Sequence, residues 1–416
     1  MHSDQKAGLV EKHMNISCVE SVQQRVESVQ KPQFSPHVYE IGLESEAEEL
    51  LGEINKELRN LVHLVESDHK SHYRNYTSPS RLVALDKHKE WLEKNWPKYG
   101  NFFAEPTEVG PSAIQPRLEL IQKQSQRDIF RIARLFWSLP YSRGYGRRLE
   151  YLLWDEANGK LMGILGLQSA PISLPARDRK FNIPREQKIE LVNQTMDAYT
   201  LGALPPYSDL LAGKLVVLAA ASQDVRKDYE QRYQGRRTVM WDRVLPASLL
   251  AISTLSAFGS SSLYNRVSKG LNGKQNLWAT ISLGPCTGWG TLHFSDYLYE
   301  KMKSFHKKLL PEKPTSGFGT GPKIRLQVTR RVLAALGLPK NHIRHNIKRE
   351  VFMITHIENL EGVLAGTGEE PIYNDKPFDD LATFWKERYC LPRAQTRCSR
   401  EGRETVARIL GLQDAD

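Results

Sequence analysis

At 416 residues, with 40% hydrophobic and 25% charged residues, the chain is long enough for about two or three globular domains. No apolar run approaches the roughly 18 residues of a membrane span, and the polar start MHSDQKAGLVEKH does not read as a signal peptide, so a cytoplasmic protein without membrane contact is expected. A formal net charge of +10 favours an acidic partner, nucleic acid first, whereas 4 dispersed cysteines without a C-x-x-C pair argue against a disulfide framework or a zinc site, and no metal site is expected.

In chain order, residues 1–35 form a polar N-terminal arm. From Glu44 to Val65, the apolar residues Ala47, Leu50, Leu51, Ile54, Leu58, Leu61, Val62 and Val65 recur at spacings of three and four. This predicts an amphipathic helix whose stripe packs on the main domain or on a partner subunit. His63, His69 and His72 interrupt the pattern in a polar turn, where metal binding is the alternative to plain solvation. Residues 81–96, with Trp91 and Trp96, read as a second helix, and the four prolines from Pro97 to Pro116 form a linker. Residues 36–115 are thus expected as a helical N-terminal region with a boundary near residue 115.

A helical pattern is predicted from Arg117 to Ser138, stopped by Pro140. The segment YSRGYGRR follows, and LEYLLWDEANGKLMGILGLQS then predicts a hairpin, with Asn158-Gly159 signalling a turn between Asp155 and Lys160. Thr195 to Ala221 reads as a strand, a loop stopped by Pro205-Pro206, and a buried helix capped by Ser208. Backbone N–H groups at such a helix start favour an anion, which makes Leu211, Ala212, Gly213 and Lys214 a candidate binding loop. Gly213 costs about 1 kcal/mol against alanine in a helix, and so points to the close approach of a neighbouring backbone or a ligand. A plain core element is the alternative.

Charged residues from Gln223 to Arg243 lead to the buried strand PASLLAISTLSAF. Ser260, Ser261 and Ser262 are then placed to cap a short helix, SSSLYNRVS, and NLWATISLGPCTGWGTLHF supplies one or two further strands up to His293-Phe294. The order helix, hairpin, strand, helix, strand, helix, strand predicts a mixed α/β (α+β) sheet flanked by helices over residues 116–310. Residues 311–416 form a basic C-terminal region. Between Lys313 and Arg349 there are nine lysines and arginines and no acid. Lys323, Arg325, Arg330, Arg331, Arg344, Lys348 and Arg349, with Arg143, Arg147 and Arg148 of YSRGYGRR, are the candidate phosphate contacts. A solvated helical face gives the same pattern. The closing FWKERYCLPRAQTRCSR mixes cations with aromatic rings and suits nucleic acid or a protein partner.

The blocks WSLPYSRGYGRRLEYLLWD, MDAYTLGALPPYSDLLAGKL, SSSLYNR, GWGTLHFS and RHNIKREVF, in that order, resemble the DruA family of the Druantia anti-phage defence systems over roughly residues 116–398. The resemblance implies a role in bacterial antiviral defence beside other Druantia subunits, a helicase-like protein among them, and it implies no particular reaction. The family in turn resembles the acyl-CoA N-acyltransferase (GNAT) fold. That likeness implies a GNAT-like core, with acetyl-CoA as a possible cofactor whose pyrophosphate would sit at Leu210 to Lys214. LLAGKL departs from the usual pattern of Gln or Arg, two residues, Gly, one residue, then Gly or Ala. It further implies Tyr264 as the acid that protonates the departing thiolate. His293, at a strand end, and Asp197 are the other ionisable groups expected at the same crevice, as general base or as structural partners. Three functions follow in order: a nucleic-acid-binding or scaffolding subunit, an active acyltransferase, and a nuclease, which ranks last because the chain has no compact carboxylate cluster with a lysine.

Overall fold

The computed structural model describes residues 33–63, 81–82, 84–137, 144–239, 242–257, 261–265, 267–272, 275–286, 294–315, 324–339, 342–343, 349–374 and 376–412. The chain divides into two compact units, Met1–Val83 with Gly288–Ile347, and Ala84–Thr287 with Lys348–Asp416. These cuts fall elsewhere than the boundaries read from composition. The proline-rich segment after Pro97 lies inside the larger unit, with Pro97 itself in the helix Lys89–Tyr99. The basic helix Ile324–Ala335 belongs with the N-terminal helix Glu44–His63 and not with the chain's closing part.

In the smaller unit, the stripe predicted from spacing is the core. Ala47, Leu50, Ile54 and Leu58 are buried against Leu298, Met302 and Phe305 of the helix Asp296–Leu309 and against Val328 and Val332 of Ile324–Ala335. Each such side chain, fully buried, contributes about 1.5–3 kcal/mol. The helix Asp296–Leu309 is capped by Ser295, whose Oγ donates to Glu57 Oε2 at 2.8 Å, so the cap is tied to the N-terminal helix.

The larger unit is built on one mixed sheet. Its strands are β1 (Pro116–Leu120), β2 (Leu149–Asp155), β3 (Lys160–Ser169), β4 (Thr195–Ala203), β5 (Ala251–Leu255), β8 (Thr280–Pro285) and β9 (Glu350–Thr355), and β6 (Ser268–Asn272) and β7 (Gln275–Trp278) form a separate two-stranded ribbon. The order in the large sheet is β1-β2-β3-β4-β5-β9-β8. All neighbours are antiparallel except β4 and β5, which run parallel over only three pairs, Thr195 with Ala251 to Asp197 with Ser253. The hairpin β2-β3 closes at the predicted turn: Gly159 takes φ +70°, and Lys160 N donates to Asn158 Oδ1 at 3.0 Å.

Helices cover both faces. The helices Ala212–Ala220 and Phe378–Trp385 share a cluster with Leu149, Tyr151, Leu165, Leu167, Met196 and Ala198. On the other face, Gln124–Phe136 and Arg403–Leu410 pack with Leu152, Trp154 and Ile164. Three sequence expectations are corrected here. The helix expected from Arg117 begins only at Gln124, because Leu118 and Leu120 alternate along a strand that pairs with β2. The short helix expected at SSSLYNRVS is a turn over residues 262–265 that leads into β6. Ser208 caps no long helix: it lies in the 3-10 turn Tyr207–Leu210, and Leu211, at φ +60°, begins the helix Ala212–Ala220.

Candidate functional site

The loop Leu211 to Lys214 is engaged by the chain itself. A Cβ on Gly213 would lie 2.6 Å from Leu263 Cδ1, so the glycine makes room for a neighbouring side chain. Lys214 Nζ donates to the carbonyls of Ser262 at 2.8 Å and Asn265 at 3.0 Å, and burial lowers its pKa to about 8. The fully buried Trp385 donates from Nε1 to the Leu211 carbonyl at 3.1 Å. Ala212 itself is fully buried. This helix start is therefore a packing junction between the sheet, the 262–265 turn and the helix Phe378–Trp385.

Asp197 and Tyr264 lie on opposite faces of the β4-β5 pair. The Asp197 carboxylate accepts from Ser253 Oγ at 2.8 Å and Gln168 Nε2 at 3.0 Å. Burial pushes its pKa up, while the hydrogen bonds from Ser253 and Gln168 and the positive field of Arg177 and Arg349 pull against that shift. The next residue of β5, Thr254, points the other way and meets the Tyr264 hydroxyl at 3.4 Å. Tyr264 is 5% exposed, its ring rests on Phe352 at 4.9 Å, and burial raises its pKa. The two side chains thus do not share the crevice expected from sequence. His293 lies outside the described residues, as do Arg143, Lys323, Arg344 and Lys348.

The remaining basic candidates differ in what holds them. Arg325 pairs with Asp296 and stacks on Tyr299 at 4.3 Å, and Arg349 Nε donates to the Ser256 carbonyl at 2.7 Å; both are structural ties. Arg147 donates to the Asn193 carbonyl at 2.6 Å beneath the rings of Tyr229 and Tyr233, and burial lowers its pKa to about 10. Arg330 is exposed, while the Arg331 guanidinium lies 3.4 Å from His306 Nε2. Arg147 also borders a pocket, with Tyr233, Arg236 and Arg237, whereas Arg148 opens on a second one that is richer in arginine.

That pocket, of about 350 Å³, gathers Arg127, Arg131, Arg134, Arg148, Arg232 and Tyr199. The helix Gln124–Phe136 turns Ile129, Ile132 and Ala133 to the sheet and carries Arg127, Arg131 and Arg134 four and three residues apart, as a second stripe. Arg148 comes from the approach to β2, and Arg232 from the last turn of the helix Gln223–Tyr233. The two carboxylates at the pocket are in use: Glu150 accepts from the Tyr199 hydroxyl at 2.6 Å, and Asp128 accepts from Gln124 Nε2 at 2.9 Å. Arg131 lies over the Trp91 ring at 4.5 Å. Tyr199 is boxed in, since a Cβ on Gly166 would lie 2.7 Å from its Cζ, and one on Gly144, at φ +69°, 2.9 Å from its Cε1. Sequence reading found Arg148 and missed its companions. The spacing of Arg127, Arg131 and Arg134 was visible, but the apolar period of the same helix masked it.

Among the described residues, no three His, Cys, Asp or Glu side chains gather as a metal site, and no helix is long and apolar enough to cross a membrane. The fold and the site define a mixed α/β protein whose seven-stranded sheet is flanked by helices and bordered by an arginine-lined pocket. A family model described as Druantia protein DruA matches residues 67–366, a span that contains the whole pocket. Druantia protein DruA of Escherichia coli (strain UMEA 4076-1) is 36% identical over 320 residues, which cover 76% of this chain and 78% of that protein. The chain belongs to the DruA family, and its role is that of a component of a Druantia anti-phage defence system. No solved structure matches it.

Proposed function

We propose that the chain is a nucleic-acid-contacting subunit of its Druantia system, working in the cytoplasm beside other subunits, a helicase-like protein among them. The convergence of Arg127, Arg131, Arg134, Arg148 and Arg232 on one pocket carries this reading. Five guanidinium groups at one pocket, beside the two carboxylates Asp128 and Glu150, favour an anion there, and phosphate oxygens match the forked geometry of arginine. Binding of labelled single-stranded and duplex DNA, measured from about 50 to 200 mM salt, tests this. Each phosphate that a single strand contacts contributes about −0.7 to the slope of log K against log salt, so affinity should fall as salt rises. Affinity that is absent at low salt, or flat across the series, refutes the proposal.

A GNAT-like core is a second reading, favoured by the passage from β4 through Leu211 into the helix Ala212–Ala220. In it Tyr264 is the acid and Lys214 borders the acetyl-CoA pyrophosphate. Calorimetry with acetyl-CoA tests it: no heat, together with phage protection retained by Tyr264→Phe, refutes catalysis of this kind.

A further inference from the structure

The same pocket limits the form in which phosphate can enter. A volume of about 350 Å³ accommodates a phosphate group with its adjoining sugar, whereas a duplex, or a strand passing through with its bases, needs an open groove. Its walls offer little to a base. The Tyr199 ring packs so closely against Gly144 and Gly166 that an added carbon on either would clash with it, the Trp91 ring carries Arg131, and Phe130 is 6% exposed. Stacking, the usual means of holding a single strand by its bases, is thus replaced here by guanidinium groups.

Charge density points the same way. A phosphodiester within a strand has one negative charge, which one or two arginines satisfy. A terminal phosphomonoester carries about −1.5 to −2 near neutrality and has three strong acceptor oxygens, so it can draw several forked donors to one place. The arginines of this pocket come from three separate elements, the helix Gln124–Phe136, the approach to β2 and the helix Gln223–Tyr233, and so surround the space instead of lining a track. Arg134 lies at its inner side, 3% exposed, whereas Arg127, Arg148 and Arg232 are exposed at its rim.

We infer that the pocket holds a terminal phosphate, the phosphomonoester or polyphosphate end of a nucleotide chain, and that the chain reads nucleic-acid ends and not internal backbone. This rests on the nucleic-acid reading above for the source of the phosphate, but not for the phosphate itself, since a free nucleotide presents the same chemistry. Three probes separate the possibilities: a single-stranded oligonucleotide with a 5′ phosphate, the same oligonucleotide with a 5′ hydroxyl, and ATP, both as competitor and by direct binding. The phosphorylated strand is expected to bind at least about tenfold tighter than the hydroxyl strand, with the ratio falling towards one in Arg127→Glu and Arg232→Glu, both rim positions whose folding a thermal melt verifies. Direct binding of ATP, lost in Arg127→Glu and Arg232→Glu, with neither strand bound, keeps the terminal-phosphate site and overturns the nucleic-acid reading. Equal, salt-dependent binding of both strands, without competition by ATP, overturns the terminal-phosphate site and leaves the nucleic-acid reading standing.

Discussion

Replacing Gly166 by alanine should test how the pocket wall is held. A Cβ there would lie 2.7 Å from Tyr199 Cζ and 2.7 Å from Thr200 Cγ2, against an optimum of about 3.5–4.0 Å between carbons. Tyr199 has little freedom to swing away, because Gly144 also packs closely against its ring and its hydroxyl is held at 2.6 Å by Glu150. Thr200 is the cross-strand partner of Gly166 in the β3-β4 ladder, so it too is fixed by backbone pairing. Overpacking of this kind costs about 1–3 kcal/mol. The loss of chain entropy in the unfolded state gives back about 0.4–1 kcal/mol. A net destabilisation of about 1–2 kcal/mol follows, read from urea unfolding followed by circular dichroism. Gly52→Ala, in the helix Glu44–His63 with nothing within 4 Å of the added carbon, should instead gain about 1 kcal/mol in the other unit. Strain against Tyr199 also requires that the penalty shrink in a Tyr199→Ala background, with a coupling of about 1 kcal/mol or more. Gly166→Ala at or above wild-type stability, or no coupling to Tyr199, refutes the close-packed wall.

Lys214 offers a pH test. Its pKa is lowered by burial to about 8 from 10.5, so between these values the unfolded chain binds more protons than the folded one, and stability should rise with pH. Below about 8 the penalty is constant, and in Lys214→Met the rise between pH 8 and 10.5 should be absent; identical slopes in the two proteins would count against the buried lysine. Trp385→Ala removes a fully buried ring and its bond to the Leu211 carbonyl, and should cost about 3–5 kcal/mol in urea unfolding of the sheet-bearing unit. Arg127→Glu and Arg232→Glu should each leave stability within about 0.5 kcal/mol. Each should also lower the magnitude of the salt slope of strand binding by about 1, and unchanged slopes would remove these residues from the interface.

What could be read in the sequence was local. The hairpin at Asn158-Gly159 and the helix Glu44–His63 have patterns that repeat within a few residues, and both stand where expected. β1 was hidden because Leu118 and Ile121 are three apart, a helical spacing, while the alternation of Leu118 and Leu120 covers only five residues, all half buried. β9 is a short apolar run, EVFMIT, whose period of two is invisible when nearly every position is buried. The pairing of Glu44–His63 with helices near residue 300 leaves no trace in local composition, so boundaries drawn from prolines and charge runs fell elsewhere. The same holds for the pocket. Arg148 stands out beside two glycines, but Arg127 and Arg232 meet it only because the sheet edge brings a strand and two helices together.

The tie between Glu57 and Ser295 spans 238 positions of the chain. During synthesis at about 5–20 residues per second, the helix Glu44–His63 is complete roughly 12–54 s before the helices that bury Leu50, Ile54 and Leu58 have been made. For that interval an apolar stripe is without its native cover, while the strands of the sheet are made in the meantime. Expression at lower temperature, or with a holdase chaperone that covers the stripe, should therefore raise the soluble yield, and substitutions that shorten the wait or lower the apolarity of the stripe should act on yield before they act on the folded state.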